Sequence, residues 1–151
     1  MAVEAKATQE AAGPLGVILQ DRGVKDAGEL EVVLQTMSKE RPDAFLALMD
    51  ITLRTHQQRI LDFLAKNQIP AIFESRDWVE AGGLISYGAD AADVTRRAAV
   101  QMDKIIKGAK PGDLPIEQPT KFEFVINLKT AKQLGLTIPP NVLARADKVI
   151  K

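Results

Sequence analysis

Residues 44–87 read AFLALMDITLRTHQQRILDFLAKNQIPAIFESRDWVEAGGLISY, and their changing hydrophobic period decides the fold class. The run at 44–48 is continuously apolar and of strand length. Leu53, Ile60, Leu61 and Leu64 then lie on one helical face, which predicts a helix to about Lys66. Residues 69–73 form the next apolar run, 76–81 a short helical turn, and 84–87 another strand after the Gly82-Gly83 break. Apolar strands that do not alternate, separated by helices, are the pattern of a parallel sheet covered on both faces. The expected fold class is therefore α/β, a parallel sheet flanked by helices.

Working outward, the pattern continues on both sides. Upstream, an alanine-rich helix over 3–12 ends at Gly13-Pro14, and Val17, Ile18 and Leu19 read as a short buried strand. Asp26 and Glu29 have capping-box spacing. Behind them Leu30, Val33, Leu34 and Met37 form one apolar stripe. Downstream, Asp90 can cap a long helix with the stripe Val94, Ala98, Met102 and Ile105. Lys104 and Lys107 suit its negative pole, and Gly108 its end. Pro111, Pro115 and Pro119 make the following stretch an extended connector. Phe122, Phe124 and Ile126 alternate as a strand, a short helix follows over 128–134, and Pro139-Pro140 introduces a last one. Two regions are expected: an α/β lobe at 1–109, and a proline-rich connector, strand and terminal helices at 110–151.

Composition narrows the function. The 151 residues carry 20 Lys+Arg against 20 Asp+Glu, which disfavours binding driven by phosphate neutralisation. There is no cysteine and one histidine, so thiolate chemistry and His-rich metal sites are excluded. No apolar run approaches the ~20 residues that span a bilayer, and the opening residues show no apolar signal core.

In open parallel sheets, ligands sit beyond the carboxyl ends of strands. This rule points to three segments, 49–52, 73–76 and 86–90, of which Asp50 is the sharpest member, a carboxylate directly after an apolar run. Asp50 could equally cap the next helix. A phosphate acceptor role for it would need an acidic pair after the first strand and a lysine after the fifth, and neither is visible. Residues 86–88 read as a strand running into a glycine turn, where backbone amides could receive a carboxylate and Tyr87 could wall a ligand. Gly82-Gly83 lacks any phosphate-loop spacing. His56 falls on a polar helix side, as a solvent-exposed residue, and Trp78 reads as core or hinge packing. Neither Ser75 nor Ser86 sits in a nucleophile elbow, and no base accompanies them, so no catalytic residue, cofactor or metal is expected.

The second half of the chain resembles a known family. EAGGLISYG at 80–88 and DKIIKGAKPGDLPIEQPTKFEFVIN at 103–127 look like signatures of ABC-importer substrate-binding proteins, in the branch related to tryptophan- and tyrosine-binding components. LKTAKQLGLTIPP at 128–140 continues the likeness, and QIPAIF at 68–73 carries it more loosely upstream. The resemblance implies a type I periplasmic-binding-protein-like lobe, of the family's C-terminal part, lacking the central first strand that would lie between Val17 and Phe45. It implies cleft-facing roles for Asp50, Glu74, Ser75, Tyr87 and Gly88, an amino-acid-like ligand, a membrane permease as partner and an extracytoplasmic setting. A chain expressed as it stands, without a signal, would instead be cytoplasmic. Exposed sheet edges further predict either a homo-oligomer or a poorly stable fragment. The alternative function is a cytosolic regulatory or assembly module that reuses the same lobe as a homodimer.

Overall fold

The computed structural model describes residues 2–151. Helix α1 (Ala2–Ala12) ends in a single 3-10 turn at Gly13–Leu15. After an irregular stretch, α2 (Ala27–Glu40) begins at the expected cap: Asp26 Oδ1 accepts from the Glu29 amide at 2.9 Å. The Glu29 carboxylate reaches back to the Lys25 amide, also at 2.9 Å, one residue upstream of the usual capping-box partner. Then come β1 (Phe45–Leu46), α3 (Ile51–Thr55), α4 (Gln57–Asn67), β2 (Ala71–Phe73), α5 (Arg76–Glu80), β3 (Ile85–Ala89) and α6 (Ala91–Ile106). The connector carries one 3-10 turn at Pro111–Asp113 before β4 (Phe122–Asn127), α7 (Leu128–Gln133), α8 (Pro140–Leu143) and β5 (Lys148–Ile150).

The five strands form one sheet in the order β1-β2-β3-β4-β5. β1, β2 and β3 run parallel, β4 is antiparallel to β3, and β5 is parallel to β4. The α/β class therefore holds, with a mostly parallel sheet. Its core joins Leu30, Leu34 and Met37 of α2 to Ile60, Leu61 and Leu64 of α4, and to Phe73 and Trp78 beside them. Each large side chain so buried stabilises by roughly 1.5–3 kcal/mol. Trp78 is a core residue, stacked on Phe73 with ring centroids 4.6 Å apart.

Four expectations need correction. Residues 17–19 form no strand: Val17 is 54% and Ile18 91% exposed. Three apolar residues carry no helix or strand preference that survives without a pairing neighbour, and β1 has only β2 beside it. The single helix predicted to Lys66 is broken at His56, which closes α3 and opens α4 and is half-buried at that junction rather than simply exposed. The stripe on α6 is amphipathic in sequence yet uncovered, with Val94, Met102, Ile105 and Ile106 all exposed. Side chains of the connector hold this helix instead, through Arg97 and Gln101 to Glu117 at 3.3 and 2.8 Å. Finally, Gly88 lies inside β3 and not in a turn. Two features went unread. β4 reverses direction, and β5 is a three-residue strand seated by Asp147, whose carboxylate accepts from the Phe124 amide at 2.8 Å.

Candidate functional site

The parallel strands end on one side of the sheet; the turns after β1 and β2 carry Asp50, Glu74 and Ser75, while Tyr87 and Gly88 lie within β3. Asp50 is the N-cap of α3, and its Oδ1 accepts from the Thr52 and Leu53 amides at 2.7 and 3.2 Å. Its carboxylate thus satisfies two of the helix's free donors. Capping orients α3 so that Arg54 reaches the next turn. Arg54 Nη2 lies 3.2 Å from Asp77 Oδ2, and Nη1 lies 3.9 Å from Glu74 Oε1.

Glu74 and Ser75 follow β2. Glu74 Oε1 accepts from Trp78 Nε1 at 3.1 Å, which ties the carboxylate to the stacked Phe73–Trp78 pair. Glu74 Oε2 and Ser75 Oγ are shielded from solvent, and neither has a hydrogen-bond partner. The same holds for Ser86 Oγ, on a residue 1% exposed. Ser86 pairs in register with Phe73, immediately before Glu74. Two residues on, the Glu74 carbonyl lies over Gly88, where an added Cβ would stand 1.8 Å from that oxygen. Glu74, Ser75, Ser86 and Gly88 are thereby brought together.

Tyr87 stands apart from them. Strand alternation turns it to the opposite face from Ser86, where it is 58% exposed. It stacks on Phe122 at 5.7 Å and meets Phe124 edge-on at 6.3 Å. Arg76 and Glu123 form an ion pair at 3.5 Å between α5 and β4. Beyond β3, Asp90 caps α6 through the Asp93 amide at 3.1 Å and pairs with Lys121 at 2.6 Å. The Lys121 ammonium, then the Asp93 amide, hold the Asp90 carboxyl below its ordinary value, while Lys121 is raised by the same contact.

Sequence reasoning did not single out the buried, unpartnered Ser86 hydroxyl within its segment and did not connect Arg54 to Glu74. A serine within the apolar run 84–87 was the available signal, since a buried polar group needs a partner. Arg54 lies 20 residues from Glu74 in the chain, and only packing unites them. A concavity of about 690 Å³ opens beside the start of α2 between Gly23, Lys25 and Val33, and none of the five candidate residues lines it. Among the described residues no three His, Asp or Glu side chains converge on a metal-sized space. Neither Ser75 nor Ser86 is hydrogen-bonded to a base. No described helix is long and apolar enough to cross a membrane.

The family described as ABC transporter substrate binding protein matches residues 1–150. Solved structures agree. A conserved domain protein from Vibrio cholerae shares 27% identity over 98% of this chain, with a TM-score of 0.88. An ABC domain from Streptococcus pneumoniae, in complex with L-Trp, shares 27% over 99%, with a TM-score of 0.91. The ligand-free, open form of a substrate-binding protein with adhesive properties from Clostridium difficile shares 20% over 99%, with a TM-score of 0.69, a likeness of fold. The chain spans 50% of the length of each. A search of curated proteins found no match.

Proposed function

Since the chain belongs to the ABC transporter substrate-binding protein family, we propose that it is a non-catalytic lobe for binding an amino-acid-like small molecule. The observation that carries this reading is the fit to the L-Trp-bound ABC domain over 99% of the chain. The turns after β1 and β2, with Asp50, Glu74 and Ser75, together with Tyr87 and Gly88 on β3, form this lobe's share of the site. Asp50 acts by orienting α3, Gly88 by admitting the Glu74 carbonyl, and Tyr87 by offering an aromatic wall. Binding is a shift between open and closed arrangements, and the ligand favours the closed one by contacts made only there. The partner is a membrane permease of an importer, and the setting is extracytoplasmic. The alternative of a self-associating cytosolic module finds no support in the relatives.

The test is thermal unfolding of the chain against a panel of amino acids and small carboxylic acids, with calorimetric titration of each hit. A ligand at a hundred times its dissociation constant stabilises by about 2.7 kcal/mol, which raises the melting temperature of a domain this size by roughly 5–10 °C. L-tryptophan is the first compound to try. A melting temperature unmoved across the panel overturns the reading.

A further inference from the structure

We propose that the open edge of β1 and the apolar segment 17–19 are two halves of one interface, through which two copies of this chain exchange strands. The proposal stands on these two features and not on the ligand-binding reading above. β1 pairs with β2 alone. The Phe45 and Ala47 amides donate to the Pro70 and Ile72 carbonyls at 2.9 and 3.0 Å. In a parallel ladder the residue between them turns its backbone groups the other way, so the Leu46 N–H and C=O face an edge with no strand on it. Such an edge is a template for another strand, and residues 44–48 carry neither the charge nor the proline that would block it.

The segment supplies what the edge lacks. Val17 and Ile18 are β-branched strand formers, yet they stand 54% and 91% exposed. Among the described residues, the Ile18 and Leu19 amides have no backbone partner. The segment does not pair with β1 of its own chain, so the strand that fills the edge comes from a second molecule. Reciprocal exchange uses both edges and closes at a two-fold dimer. The surface area fits this partner. A folded monomer of 16.5 kDa exposes about 7,500 Å², whereas this chain exposes 10449 Å², roughly 2,900 Å² more. Obligate dimers bury about 1,000–2,500 Å² per partner, so the excess is ample for one. A net charge of zero sets no repulsion between copies.

The experiment measures the mass of the wild-type chain, Ile18→Pro and Ile18→Val by sedimentation and light scattering over a wide range of concentration. The expected wild-type mass at the upper end is twice the 16.5 kDa of one chain. Ile18→Pro removes a pairing amide at a side chain already in solvent. It is expected to keep the wild-type circular dichroism and to weaken dimerisation by about tenfold or more. Ile18→Val keeps a strand former and is expected to stay a dimer. Hydrogen exchange on the wild-type chain reads the same interface without a variant. Residues 17–19 and 45–47 should exchange about tenfold or more slowly in the dimer than in the dilute chain. A mass of 16.5 kDa throughout overturns the proposal and leaves the β1 edge to a strand of another polypeptide. A dimer that Ile18→Pro does not weaken, or whose residues 17–19 exchange as fast as in the dilute chain, overturns it too, since the copies then meet elsewhere. A mass that keeps rising beyond two chains also overturns it, because reciprocal exchange closes at two.

Discussion

Gly88 carries the most exacting local requirement near the site, because the Glu74 carbonyl occupies the space of a side chain there. Gly88→Ala must push the Glu74–Ser75 turn away, at a cost of about 1–3 kcal/mol by overpacking. A lowered melting temperature together with lost ligand response is the expected outcome, and an unchanged melt would show that the turn is free to move. Asp50 gives a contrasting case. Its two amide contacts make it a helix cap, so Asp50→Ala is expected to destabilise by about 1 kcal/mol. Asp50→Asn should restore most of that stability, which a chemical denaturation series would read. Trp78 is the chain's single tryptophan, is 1% exposed and donates to Glu74. Its fluorescence should be blue-shifted in the native protein and move to the red on unfolding. A native spectrum like that of the unfolded chain would contradict its burial.

At the scale of elements, α6 is tied to the rest of the chain by charge more than by packing. Asp90 caps its start and pairs with Lys121, and its carboxyl is held below the ordinary value by that ammonium first. A carboxyl depressed in the folded state contributes stability above its unfolded value and loses it as pH falls through the lowered one. Acid below the usual aspartate range should therefore loosen the start of α6 and β4. Asp90→Asn should remove this part of the acid sensitivity in a pH series of melts. Both partners meet solvent, so the effect is small and screened by salt. The apolar stripe behaves differently. Ile106 is 77% exposed, so Ile106→Lys is expected to change stability by no more than about 0.5 kcal/mol. A larger loss in a denaturant titration would show that something covers this face in solution.

At the scale of the whole molecule, the sheet sorts what could be read in advance from what could not. The α/β class was legible because apolar runs at 44–48, 69–73 and 84–87 alternate with helical stripes, and residue order alone sets hydrophobic period. The caps at Asp26 and Asp90 were legible for the same reason: each acts on amides within three residues. The strand-end rule placed Glu74 and Ser75 where the turns do meet. Its failures were all non-local. Residues 17–19 have a strand's composition but no strand beside them, and α6 has a buried helix's stripe but no cover. The reversal at β4 depends on the path of the connector, and β5 depends on Asp147 meeting Phe124. Tyr87 was assigned beside Gly88 by sequence, while strand alternation sends the two to opposite faces. Ser86 and Arg54 entered the site only through strand register and the reach of a capped helix. Sequence by itself determined the period, the caps and the family likeness, because these are local or cumulative along the chain. Which polar atoms are buried together without partners was decided by tertiary structure alone, because burial depends on which neighbours the folded chain supplies.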